Sequence, residues 1–219
     1  PGSVDLSIDT SRATLSLEGE RFAQVYDATN PIVGSWLLEE GGDTVVITFL
    51  SNGTYFLAED GDPVVDPSGQ DGMERGTYTW NADTDAFSST TTVDTNGEWG
   101  LSHSSLDAVS VAGDSLTVDD NGDLIVFTRV TGDPLAGGWF FTNGGEAQSS
   151  GVITFLGDGR YMVAEDGSSV LDPSGQDGME RGTWTWDSST DAFSSTTLVD
   201  TSGQWGFSHD PVTSISYHN

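Results

Sequence analysis

The apolar residues of this chain fall in short runs of alternating parity. Gly, Asn, Asp, Ser and Pro separate the runs, and no stretch sustains a helical period. In the first half, the runs are Ser35–Glu39, Thr44–Leu50, Thr54–Ala58, Glu74–Trp80, Ala86–Val93, Gly100–Ser102 with its loop, Ala108–Val111, Ser115–Val118 and Leu124–Val130. Thr, Val, Phe, Tyr and Trp dominate them, as pleated half-buried surfaces favour. Ser51-Asn52-Gly53 marks a tight hairpin turn, and residues 81–85 mark the next. In Glu74–Trp80, residues 74, 76, 78 and 80 share one face, whose Tyr78 and Trp80 predict the core side. Arg75, Thr77 and Thr79 predict the outer side. Short turns between consecutive strands predict an all-β fold of up-and-down antiparallel sheets. About eight strands per unit can close into a barrel, which removes the unpaired edges. A two-sheet sandwich would need longer crossovers.

The pattern occurs twice. DPSGQDGMERGTYTW (66–80) returns as DPSGQDGMERGTWTW (172–186), and VDTNGEWGLSH (93–103) returns as VDTSGQWGFSH (199–209), both displaced by 106 residues. NPIVGSW (30–36) matches DPLAGGW (133–139) at a displacement of 103. The segment 108–134, which ends the first repeat, has a counterpart of equal length in 5–31. This phase predicts four parts. Residues 1–3, Pro-Gly-Ser, read as a cleavage remnant. Residues 4–29 read as the last strands of a preceding repeat, residues 30–131 as a first barrel, and residues 132–219 as a second barrel without its own last strands. The tail has three readings: it completes the second barrel within the chain, giving a monomer; it pairs with another molecule, giving a dimer by tail exchange; or it stays disordered.

Gly34-Ser35-Trp36 opens the first strand and Thr128-Arg129-Val130 closes the last. This pairing resembles the lipocalin, or calycin, pattern. The resemblance implies a Trp at the barrel floor with an Arg packed across it, which Trp36 and Arg129 match, as Trp139 does in the second repeat. Tyr26 stands where the second repeat would need its Arg. The resemblance also implies a small apolar ligand in the lumen. The residues that would line it are Trp36, Tyr55, Tyr78, Trp80, Trp99, Arg129, Trp139, Tyr161, Trp184, Trp186 and Trp205. The same aromatics, at core parity, equally read as the filling of a small barrel.

Charge narrows the partners. Asp and Glu total 35 against six Arg and no Lys, for a net charge of −29. Such a chain repels nucleic acid and anionic membrane surfaces. The acidity reads as a solvated surface, as adaptation to salt, or as recruitment of Ca²⁺. For Ca²⁺ the candidates are Asp60, Asp62, Asp66 and Asp71, with Asp166, Asp172 and Asp177 in the second repeat, where Ser168 replaces Asp62. Their spacing does not fit an EF-hand loop. The absence of Cys excludes disulfides, thiolate catalysis and Cys-based zinc sites. Catalysis has little to stand on. His103 and His209 are equivalent, one per repeat; adjacent residues such as Ser102 and His103 point to opposite faces of a strand; no phosphate loop occurs. The expectation is a non-catalytic repeat module of a larger secreted or cell-surface bacterial protein, for extension, display or adhesion. It would have no cofactor apart from the Ca²⁺ alternative. Its expected partners are neighbouring repeats, a small apolar ligand or a surface glycan, with no nucleic acid and no membrane insertion.

Overall fold

Thr, Val and aromatic residues at alternate positions build strands throughout the computed structural model. It describes residues 13–17, 20–61, 63, 66–141, 151–167, 172–209 and 211–218. Pro1, Gly2, Ser3, Asp62 and Ser168 lie outside the described residues. Among the described residues every named element is a β-strand. β1 (Thr14–Leu17) and β2 (Glu20–Gln24) form the N-terminal hairpin. The first repeat holds β3 (Gly34–Glu40), β4 (Asp43–Phe49), β5 (Thr54–Glu59), β6 (Gly72–Trp80), β7 (Phe87–Asp94), β8 (Leu106–Ala112), β9 (Ser115–Asp120) and β10 (Asp123–Arg129). The second repeat holds β11 (Gly137–Phe141), β12 (Gly151–Phe155), β13 (Arg160–Asp166), β14 (Asp177–Asp187), β15 (Ala192–Asp200) and β16 (Ile215–His218). Residues 100–102, expected as a strand, form a turn instead. Their backbone is drawn inward by a buried carboxylate described below.

The strands form two antiparallel sheets of eight, each curled into a half-barrel. Their orders are β7-β6-β5-β4-β3-β10-β9-β8 and β15-β14-β13-β12-β11-β2-β1-β16. β2 pairs with β11 and β1 with β16, so the N-terminal hairpin occupies in the second sheet the place that β9 and β10 occupy in the first. Complete barrel closure does not occur. No ladder joins β7 to β8, and an isolated bridge between Ala192 and Ser214 is what spans the matching seam of the second sheet. In place of a ladder, indole side chains and single backbone bonds bridge the seams: Trp80 donates to Val109 O and Val109 N to Asp85 O, and Trp186 donates to Ile215 O and Ile215 N to Asp191 O. Both sheets carry a register shift at the same place, between Arg75 and Gly76 and between Arg181 and Gly182. A Cβ at Gly76 would lie 2.6 Å from the Tyr55 ring, so only a bare backbone leaves room for that ring beside the register shift.

The concave face of each sheet carries an apolar core. In the second sheet Leu15, Leu17, Phe22, Trp139, Phe155, Tyr161 and Phe207 pack together. The convex faces are apolar as well where the repeats meet. β4 and β5 are buried on both sides, as are β12 and β13. Val46, Phe56 and Ala58 face Val152, Met162 and Ala164 around a residual void of about 10 Å³. Thr48 meets its own counterpart, Thr154, with hydroxyls 3.5 Å apart. A residue touching its equivalent is the signature of a two-fold, self-complementary contact. Full burial of each large apolar side chain contributes about 1.5–3 kcal/mol. Three of the six Arg join the repeats at the rim: Arg75 to Asp166, Arg160 to Glu39, and Arg181 to Asp71 at 2.9 Å.

Candidate functional site

The duplicated stretch 66–80 begins as a loop and ends as a strand. Asp66, fully buried, accepts bonds from Ser68 N (2.8 Å), from the Ser68 hydroxyl (2.5 Å) and from Glu98 N across the neighbouring turn (3.2 Å). Asp172 repeats this with Ser174 N (2.7 Å) and Ser174 Oγ (2.6 Å). Burial pushes both carboxyls up, but the hydrogen bonds outweigh it and hold them below the usual carboxylate range. The side-chain amide of Gln70 donates to Thr95 O (2.6 Å), and that of Gln176 to Thr201 O (2.8 Å). The loop half of the motif is therefore a clamp between the 66–72 loop and the 95–98 turn, reproduced in the second repeat.

The strand half carries Glu74 and Glu180 into the interior, both with no exposure. Glu74 accepts from Leu101 N (3.0 Å), Ser102 N (3.1 Å), Ser102 Oγ (2.5 Å) and the Tyr55 hydroxyl (3.2 Å). Glu180 accepts from Ser208 N (3.0 Å), Thr197 Oγ1 (2.9 Å) and the Tyr161 hydroxyl. Burial, ahead of the nearby carboxylates, raises the Glu74 carboxyl and both phenols above their ordinary values. Glu59 and Glu165, at the ends of β5 and β13, are equally buried. Burial lifts each to about 8, with Asp66 adding for Glu59 and Asp172 for Glu165. The Asn96 amide donates to Glu59 at 2.7 Å. Ser202 replaces Asn96 in the second repeat, and among the described residues neither oxygen of Glu165 receives a donor. Sequence reading passed over Glu59, Asn96 and Glu165. For the two glutamates the signal was recurrence at a displacement of 106, which 35 acidic residues conceal; Asn96 does not recur and had no such signal.

The aromatic candidates are dispersed through both sheets. Arg129 lies over the Trp36 ring at 4.0 Å and donates to Val33 O (3.1 Å) and Pro31 O (2.5 Å). Trp36 and Trp139 each donate to a carbonyl four residues back, at 2.8 Å. Trp80 and Trp186 bond across the seam to Val109 O (2.6 Å) and Ile215 O (2.9 Å). Tyr78 bonds to Leu50 O and Trp184 to Arg160 O. Tyr55 and Tyr161 belong to the Glu74 and Glu180 networks, Trp99 is half-buried, and Trp205 stacks on Phe22 at 6.5 Å. Trp205 and Phe22 line a cavity of about 260 Å³ in the second half-barrel, with Leu17, Val163, Phe207 and Val212.

The acidic loop candidates have separate tasks. Asp60 caps Thr44 N (2.6 Å), Asp71 takes Gly61 N (3.2 Å) and Arg181, and Asp166 takes Arg75. Asp66 and Asp172 are the loop clamps above, and Asp177 stands opposite Asp166 in the β13–β14 ladder, where β13 ends and β14 begins. Among the described residues no three His, Asp or Glu side chains gather into a group able to hold a metal ion. The Ser208 hydroxyl and His209 ring both reach Asp200, at 2.6 and 3.0 Å. Serine and imidazole thus share one acceptor, which is not the relay that activates a nucleophile.

These features define an all-β pair of curled sheets whose polar clusters lie inside and tie loops to strands. In comparisons with protein-family models, with curated proteins and with solved structures, nothing matches the chain.

Proposed function

We propose that the chain is a non-catalytic repeat module, lipocalin-like in its strand plan, of a larger secreted or cell-surface bacterial protein, serving extension, display or adhesion. The observation that carries this reading is the burial of the duplicated chemistry. Glu59, Asp66, Glu74, Glu165, Asp172 and Glu180 have no solvent exposure, so no substrate can meet them. They hold loops, and a duplicated loop clamp is what a display scaffold requires. Trp36 with Arg129 across it supports the lipocalin-like plan. The test is antiserum labelling of the producing cells. Labelling of intact cells is expected; labelling only after permeabilisation overturns the reading.

The 260 Å³ cavity beside Trp205 favours a second reading, a small apolar ligand held by the second half-barrel. Native mass spectrometry before and after organic extraction tests it: a retained small molecule supports carriage, and a bare chain in both samples refutes it.

A further inference from the structure

The two-fold likeness of the repeats breaks at one position, and a cleft lies there. Tyr26 is displaced by 103 residues from Arg129 and stands in its place. Arg129 is drawn down onto Trp36 and its guanidinium fork bonds to two carbonyls. Tyr26 makes no such descent: it stands 51% exposed, and the Trp139 ring is instead met edge-on by Tyr217 at 6.2 Å. The exchange leaves a cleft of about 430 Å³ between the half-barrels, with Tyr26, Tyr217, Gln24, Arg129, Thr131 and Asp133 on its walls. Its floor is backbone. Gly138 occupies the place of Ser35, and a Cβ there would run into the Ser35 hydroxyl. Interfaces between domains are among the places where ligand pockets preferentially occur.

The walls have a definite chemistry. Two tyrosines offer aromatic faces. A primary amide, a guanidinium with N–H groups beyond its two carbonyl bonds and its ion pair with Asp114 (3.6 Å), a hydroxyl and a carboxylate surround them. A pyranose ring has the complementary form, with apolar C–H faces and a rim of hydroxyls that both donate and accept. The −29 charge of the chain repels acidic sugars, and the one cation of the cleft, Arg129, already faces Asp114 beside it and Asp133 on its wall, so no surplus positive charge invites an anion.

We propose that this junction cleft binds a neutral saccharide, which stacks on Tyr26 and hydrogen-bonds to Gln24 and Arg129. The proposal deepens the adhesion reading and rests on it for the biological setting; binding itself is measured on the purified chain, so failure of cell-surface labelling and failure of sugar binding are separate results.

The experiment is saturation-transfer NMR on the whole chain. The probes are the methyl glycosides of glucose, galactose, mannose and N-acetylglucosamine, with cellobiose and lactose. Transfer to at least one probe is expected. Tyr26→Ala should weaken that probe about tenfold, Tyr26→Phe should keep it, and Gln24→Ala should weaken it with the denaturation midpoint unchanged. In ring-labelled wild-type protein the same probe should shift the Tyr26 signals, a readout that needs no variant. Absence of transfer from every probe overturns the proposal, as does transfer that survives both Ala variants or leaves the Tyr26 signals unmoved.

Discussion

Replacing Glu165 by Gln should stabilise the protein at pH 8 and do so far less at pH 5. Glu165 is fully buried, neither oxygen receives a donor from the described residues, and burial with the Asp172 carboxylate lifts it from 4.5 to about 8. Below pH 4.5 the group is protonated in both the folded and unfolded chain. Between 4.5 and about 8 the folded chain keeps a proton that the unfolded chain releases. Stability then falls by ~1.4 kcal/mol for each pH unit, and above about 8 the loss is complete. The integrated loss is at most ~5 kcal/mol per carboxyl, as large as the net stability of a small domain. Glu59 has the same sign and window, since it too rises to about 8. Gln keeps the shape, does not titrate, and can donate to Asp172. Urea denaturation followed by Trp fluorescence, at constant ionic strength from pH 5 to 8, reads the difference between variant and wild type and cancels the general effect of net charge. A wild-type midpoint that is flat or rises over this window would refute the reasoning, as would E165Q being the weaker protein at pH 8.

Other outcomes follow from the same structure. Asp66 and Asp172 are held below 3.8, so their contribution is present above that value and is lost as pH falls through their lower folded values; with the two glutamates this places maximum stability near pH 4 to 5, checked by melting across that range. Arg129→Ala removes a cation–π contact and two bonds to carbonyls, and should cost about 2–4 kcal/mol by chemical denaturation. Phe56→Ala opens the interface between repeats and should cost about 3–5 kcal/mol; a loss below 1 kcal/mol would mean that the convex faces do not hold the pair together. Removing residues 1–24 should expose β11 and β16 and raise amide exchange in β11–β16, with β3–β10 protected as before.

The strands were legible because parity and turn residues are local properties. Glu74, Gly76 and Tyr78 share the concave face as their alternation requires, and Thr77 and Thr79 face out. Thr44–Leu50 was legible as a strand but not as one buried on both faces. Its clue is the run Val45-Val46-Ile47, where an exposed outer face would carry a polar residue at 46. What covers that face is another stretch of chain 106 residues away, and no local pattern encodes a partner. The turn at 100–102 was missed for the same reason, since the Glu74 carboxylate that draws it in is remote in sequence. Tyr26 was visible as a departure from the Arg position, but the cleft beside it is lined by residues of both half-barrels, whose meeting repeat arithmetic does not supply.

The pairing of β1 with β16 also decides how the molecule meets force. Thr14 lies opposite His218 and Leu17 opposite Ile215, so the two ends of the ladder leave it side by side at one edge. Tension applied between those ends loads the hydrogen bonds in succession, and the ladder peels like a zipper instead of resisting in shear. The second half-barrel would open first and lengthen the tether, while β3–β10, which contain neither end, stay folded. Handles attached at the two ends in an optical trap should therefore record a low first rupture from the second half-barrel and a later, separate one from the first. A module built this way yields early to a pull and re-forms when the load is released.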